Sequence, residues 1–364
     1  MKSILGSHIQ GIVESKGGIH VTVYVERTPD VAGRAFQIRE AVETAKDLMI
    51  SSVAVEEIDE ILLPFRNLLE EQKTLRGLKG NFGIFRRKGL FRIMPIPHDV
   101  EHLAVVADTF HVKPLLKWLQ HHNRFVWIDL RLPQWNVMVG DNYQTRSLPT
   151  MNFKANAGPL DRYEYERVVL DQVLELGELR NGGKDTVIFL TGDQDICSSV
   201  AKVLRRIGLS IRHLRNVDLT KSQSDVVAVI RAFLAKSSLQ KFHRTMQDFE
   251  IAEIKHRLPL TVAQIAKMVS KNEVAKLLVA DDVNLFGKFE NQTGKVELRH
   301  RQRDHEDDDV LDDLAQRVIL DGGEVVVLSR EQIPGKQPII ALSKNDVAPT
   351  SKPPVTEAQL WRAG

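Results

Sequence analysis

Apolar positions recur at two spacings along the chain, alternating in short runs and returning every three to four residues in longer ones. Residues 20–25 (HVTVYV) alternate and predict a strand. Over 32–50, Phe36, Ile38, Val42, Ala45 and Met49 fall near one face and Arg39, Glu43 and Lys46 on the other, which predicts a helix packed along one side. A second helix is predicted over 55–72, and 81–95 reads as two strands around a tight turn at Gly89. From 123 onward the periods alternate: strands over 125–130, 135–139, 187–190 and 210–214, with helices over 161–179 and 196–207. That alternation predicts a sheet with parallel pairings.

A long helix begins near 225, and the spacing of Val262, Ile265, Ala266 and Val269 predicts another before a strand over 275–279. A hairpin around 291–294 leads into the basic run 299–303 and the acidic run 304–309. Acidic residues at the head of a helix meet the positive end of its dipole, and the pair Gly322 and Gly323 supplies a left-handed stop before the strand 324–328. The whole pattern predicts an α/β (α+β) protein of three domains, 1–122, 123–216 and 217–347, with an extended tail over 348–364 whose Pro-rich composition cannot pack. Trp361 in that tail is a candidate docking residue.

Charge changes the picture little. Fifty basic against 48 acidic residues leave a net charge of +2, divided as +1 over 1–122, +2 over 123–216 and −1 over 217–364. Any nucleic-acid contact must therefore come from local clusters. A single cysteine, Cys197, excludes an internal disulfide and a zinc-thiolate cluster. No run approaches the ~18 apolar residues of a membrane span, and none near the start suits a signal peptide, so a soluble cytoplasmic protein without a membrane partner is expected.

The order of several segments resembles a known family. Residues 105–119 (VVADTFHVKPLLKWL) leading into 124–140 (RFVWIDLRLPQWNVMVG) are similar to a hallmark in which an FHxKPLL helix opens the central domain. The order helix, strand, hairpin, acidic helix and GGEVVVL strand over 260–334 resembles the C-terminal domain of the archaeal and eukaryotic class-1 termination factors and of Pelota. The resemblance extends over roughly 18–345 and points to the bacterial archaeo-eukaryotic release-factor-like family. It implies a central domain of RNase H-like topology, with the N-terminal domain facing the decoding centre and the C-terminal domain facing a translational GTPase. The implied protein occupies the ribosomal A site, with 16S and 23S rRNA and elongation factor Tu or another translational GTPase as partners, and with no DNA partner and no cofactor. Hibernation is the expected role, with Pelota-like rescue of stalled ribosomes as the alternative.

The termination factors' catalytic Gly-Gly-Gln is absent here; Gly182, Gly183 and Lys184 read as a helix stop. Its place falls to 149–162, which offers Asn152, Lys154, Asn156 and Arg162 but no evident general base. No catalytic residue is assigned, and a peptidyl-tRNA ester hydrolase using this segment is the enzyme alternative. A nuclease would need metal-binding carboxylates, for which Asp129, Asp193 and Asp195 are candidates. His98 and His102 have a four-residue spacing but sit beside Pro95 and Pro97, which suits surface histidines better than metal ligands. The RNA-binding candidates are the hairpin cations Arg86, Arg87, Lys88 and Arg92, the loop residues Asn152, Lys154, Asn156 and Arg162, and the helix cations Lys202, Arg205 and Arg206. Arg299, Arg301, Arg303, Asp307 and Asp308 are the candidates for partner contact.

Overall fold

The computed structural model describes residues 7–121, 123–131, 134–148, 151–152, 186–206, 208–214, 222–259 and 261–346. The helix expected over 161–179, the glycine pair at 182–183, Lys154, Asn156, Arg162 and the tail lie outside them. The fold is mixed α/β and divides into two compact units, one of residues 1–15 and 118–242, the other of 16–117 and 243–364.

The first unit contains α1 (Ser7–Val13) and a six-stranded sheet. Its strands, numbered in chain order after four strands of the other unit, are β5 (Phe125–Arg131), β6 (Gln134–Gly140), β7 (Thr145–Ser147), β8 (Met151–Asn152), β9 (Val187–Gly192) and β10 (Ser210–His213). The order is β10-β9-β5-β6-β7, with β8 also paired to β6; β5, β9 and β10 run parallel. Side chains alternate between two cores, as the two-residue period of a strand requires. Val126, Ile128, Ile188 and Leu190 meet Cys197, Val200 and Leu204 of the helix Gln194–Arg206. Phe125, Trp127 and Phe189 face the other way, toward Val226, Ile230 and Leu234 at the head of the helix Gln223–Ile254.

The second unit opens on β1 (Lys16–Val25), then α2 (Val31–Met49), α3 (Val55–Glu70), α4 (Gln72–Gly77), β2 (Asn81–Arg87), β3 (Leu90–Ile96) and β4 (Leu103–Thr109). The strands form an antiparallel sheet in the order β3-β2-β1-β4. The predicted single helix over 55–72 is two helices, separated at Glu71, which leaves helical geometry at ψ 77°. The buried face of α2 also differs from expectation. Arg34, Ala35, Ile38, Ala41, Ala45 and Met49 are buried while Phe36 is 64% exposed, because the stripe facing the sheet is turned by about one residue.

The rest of this unit contains α8 (Val262–Ser270), held by a capping box between Thr261 and Gln264, and α9 (Val310–Leu320); α5 (Lys113–His121), α6 (Gln194–Arg206) and α7 (Gln223–Ile254) precede them in the chain. β11 (Val274–Ala280) pairs parallel with β15 (Glu324–Leu328) and antiparallel with β16 (Ile339–Ser343). β12 (Phe286–Glu290), β13 (Lys295–Leu298) and β14 (Asp308–Asp309) make a second small sheet. Gly287 is required there: at φ +156° an added Cβ would lie 1.9 Å from the Glu297 carbonyl oxygen. Asp309 caps α9, its carboxylate accepting from the Leu311 N–H at 3.2 Å.

Candidate functional site

The FHVKPLL segment and the acidic helix head meet in the second unit, and their charges are buried together. Lys113 is 1% exposed, and its ammonium lies 2.6 Å from Asp309, itself 1% exposed. It also donates to the Val283 carbonyl at 2.6 Å and to Asn284 Oδ1 at 2.9 Å. Asp312 accepts from the amides of Val112 and Lys113 and from Gln316 Nε2. Gln316 donates in turn to the Phe110 carbonyl at 2.8 Å. A buried ion pair returns its desolvation cost only when further hydrogen bonds satisfy both ions, and each of these ions has them.

His111 completes the junction. Its backbone N–H donates to Thr22 Oγ1 and its carbonyl accepts from Tyr24, while Nδ1 lies 3.8 Å from Asp312. Burial, with the Lys113 charge adding to it and Asp309 opposing, pushes the imidazole down to about 4. Unfolded histidine takes its proton near 6.5, so this group's stabilisation is present above that pH and lost as pH falls toward 4. Asp312 works the other way. Burial outweighs its amide donors and raises it to about 6, so its contribution is present below the unfolded value and lost as pH rises through about 6. Replacing His111 with glutamine is therefore expected to gain on wild type by roughly 1.4 kcal/mol per pH unit as pH falls below the unfolded histidine pKa. Urea midpoints measured across that range would show it; parallel curves would mean that His111 titrates as a free histidine.

The acidic run is largely an internal structure, which corrects the reading of Asp307 and Asp308 as a partner surface. Asp307 is fully buried and bound to Arg299 at 2.9 Å, and Asp308 is 8% exposed. Burial drives the carboxyls of Asp308 and Asp313 well above the usual carboxylate range, each reinforced by its acidic neighbours. Asp307 and Asp309 fold inward because β14 and the head of α9 close against β12, where Arg299, Lys113 and the Leu285 amide meet them. Of the five partner candidates, Arg301 and Arg303 are exposed, and Arg299 is half-buried on Asp307.

The hairpin tip needs a similar correction. Arg86 is 8% exposed. Its guanidinium donates to the carbonyls of Glu60 at 2.8 Å and Ile61 at 3.0 Å, and to those of Arg87 and Leu90. The cause lies in α3, where Pro64 has no N–H to offer the Glu60 carbonyl one turn earlier. Arg86 supplies the missing donor. Arg87 is half-buried, Arg92 is half-buried opposite Phe85, and Lys88 stands out beside Gly89, whose φ of +75° makes the turn. Lys88 pairs with Glu60 at 3.2 Å in an exposed position.

In the first unit Lys202, Arg205 and Arg206 are exposed along α6, and Arg205 reaches the Ile211 carbonyl at 3.4 Å. Asn152 pairs with Gln134 at the sheet edge. Asp129 is buried against Arg131 and Thr191, and Asp193 caps α6 through the amides of Asp195 and Ile196. Among the described residues, no group of three or more His, Cys, Asp or Glu is placed to hold a metal ion. His102 Nδ1 lies 3.1 Å from the Tyr24 carbonyl and its Nε2 3.6 Å from Glu40, while the His98 carbonyl accepts from Asn81. Burial, with Asp193 and Asp129 adding to it, pushes the Cys197 thiol up to about 12, which removes it as a nucleophile. No described helix is long and apolar enough to cross a membrane.

No family model matches the sequence, and no curated protein does. Solved structures of translation factors are similar to it. One is S. cerevisiae Dom34, a translation termination-like factor involved in RNA quality control and interacting with Hbs1, at 13% identity and TM-score 0.39, covering 72% of this chain and 79% of that one. Archaeal Pelota, in a ribosome-bound arrangement with ABCE1, has 13% identity and TM-score 0.37, with 90% of each chain covered. An archaeal translation termination factor has 11% identity and TM-score 0.24, covering 93% of this chain and 96% of that one. At such identities no residue role passes from them to this chain.

The junction of Lys113 and His111 with Asp309 and Asp312 is the main feature that sequence reasoning missed. One signal was available: His111 and Lys113 stand among the apolar residues of 105–119 and have to find acids somewhere. Nothing in the local pattern said that those acids lie some 200 residues later.

Proposed function

We propose that this chain is a ribosome-binding translation factor that occupies the A site without hydrolysing peptidyl-tRNA. The observation that carries the reading is that the two segments with the strongest family resemblance, 105–119 and 287–334, are joined by one buried ionic network. Their kinship is then a property of one structural core as well as of two separate strings. The absence of Gly-Gly-Gln supports occupancy over hydrolysis. We assign the role to hibernation, of the kind performed by the factor Balon, with elongation factor Tu at the C-terminal module. Lys88, Lys202, Arg205 and Arg206 are the exposed cations proposed for rRNA, and Arg301 and Arg303 those proposed for the protein partner.

The test is sedimentation of the purified chain with ribosomes from growing and from starved cells, followed by incubation with ribosomes carrying peptidyl-tRNA. Association without peptide release is expected, stronger with ribosomes from starved cells. Release that depends on Asn152, Lys154 or Asn156 would assign the hydrolase activity instead. Failure to sediment with either ribosome population would end the ribosomal reading.

A further inference from the structure

A cavity of about 520 Å3 lies within the second unit, walled by β1, β4, β12 and the head of α9. Asp108 of β4 stands exposed at its edge, while Asp308 of β14 and Asp313 of α9 line it from the protein side. Asp308 gives the cavity its character. It is 8% exposed, and among the described residues no N–H, hydroxyl or cation donates to its carboxyl; the polar group beside it is another acid, Asp108. Asp313 is half-buried, with Thr109 Oγ1 at 3.4 Å as its donor and the same acids around it. Two carboxylates that meet only each other repel, so the pair needs either a bound proton or a cation from outside.

The cations already in the neighbourhood are engaged elsewhere or distant. Lys288 pairs with Glu306, and His305 Nδ1 lies 2.8 Å from Ser52 Oγ. Lys113 serves Asp309, and Lys16 acts on Asp313 only from the exposed start of β1. The carboxyls are not placed to coordinate a metal ion, which leaves an organic cation. Apolar side chains complete the wall, with Ile19 buried in β1 and Phe289 half-buried in β12. An acidic floor beside an aromatic wall suits arginine in particular. Its stem covers apolar surface, and its planar guanidinium stacks on a ring and donates to carboxylates in its own plane.

We propose that this cavity receives the arginine side chain of a basic segment in a protein partner, the guanidinium meeting Asp108, Asp308 and Asp313 and the stem lying on Ile19 and Phe289. The site does not depend on the ribosomal reading.

The full chain and its Asp308→Asn variant test this with a labelled peptide of Gly-Arg repeats, followed by anisotropy. Wild type is expected to bind it, and the variant about tenfold more weakly, the loss of one charge-assisted contact. A peptide of Gly-Lys repeats should bind wild type several-fold more weakly, because an ammonium neither forks nor stacks. Burial holds the Asp308 carboxyl above its usual range, and the cation requires it ionised. Wild-type affinity is therefore expected to rise with pH through neutrality, and that of the variant to rise less. Without peptide, the variant should melt at or above the wild-type temperature, since an amide donates to Asp108 without needing a proton. The site is overturned if wild type does not bind the Gly-Arg peptide, if the variant binds it equally well, or if the variant melts well below wild type, which would reveal an internal donor to Asp308. Equal binding of the two peptides overturns arginine as the occupant. Spermidine that displaces the Gly-Arg peptide at equal concentration of charge overturns a protein source and assigns a free polyamine.

Discussion

Replacing Lys113 with methionine is expected to cost about 3–5 kcal/mol of unfolding free energy, the penalty for leaving one member of a buried ion pair behind. Both charges are sealed, at 1% exposure each, so the Asp309 carboxylate would lose its cation where water cannot replace it. The carbonyl of Val283 and the side chain of Asn284 would lose a donor as well. Adding Asp309→Asn should recover part of the loss, because the neutral amide keeps an oxygen for the cap at Leu311 without requiring a cation. Chemical denaturation of the four proteins of this cycle measures the coupling, expected in the upper part of the roughly 0.5–3 kcal/mol range found for residues in contact. Strict additivity would show that the pair is not the link between the FHVKPLL segment and the acidic helix.

The second large effect is expected at Arg86. Arg86→Ala should cost about 2–4 kcal/mol, since it uncovers the Glu60 and Ile61 carbonyls in the interior and removes the packed stem of the arginine. The cause predicts its own suppressor. Pro64→Ala restores an N–H within α3 one turn after Glu60, so Arg86→Ala should cost markedly less in that background. Equal costs in the two backgrounds would mean that Arg86 acts for another reason. Lys88→Glu, two residues away but 80% exposed, should change stability within about 0.5 kcal/mol despite its pairing with Glu60. A simultaneous reversal of Arg86, Arg87 and Lys88 would therefore report mainly on folding. Any test of RNA contact at this tip has to be made at Lys88 alone.

The hairpin shows where sequence reading stops. The turn at Gly89 and its flanking strands were legible, because a two-residue turn with a positive φ and apolar alternation leave few alternatives. That one arginine of the cluster turns inward was not, since it depends on a proline in a helix more than 20 residues earlier. The acidic run has the same character. Its helix-capping role could be read from local charge, and Asp309 fulfils it. Its burial could not, because a row of aspartates is normally solvated and only Lys113, Arg299 and the amides brought by the fold make another outcome affordable.

The sequence by itself determined the periodic elements, the mixed α/β class and the absence of the Gly-Gly-Gln tripeptide, because these follow from residue order and local backbone preference. Tertiary structure alone decided which charges are surface and which are core. Arg86, Lys113 and Asp309 were drawn inside by partners far away in the chain, and Asp307 by Arg299 on the neighbouring turn of chain. The reason is that periodicity reports which face of an element turns inward, whereas the fate of an ionisable group depends on whether the opposing element offers it a counter-charge or a hydrogen bond.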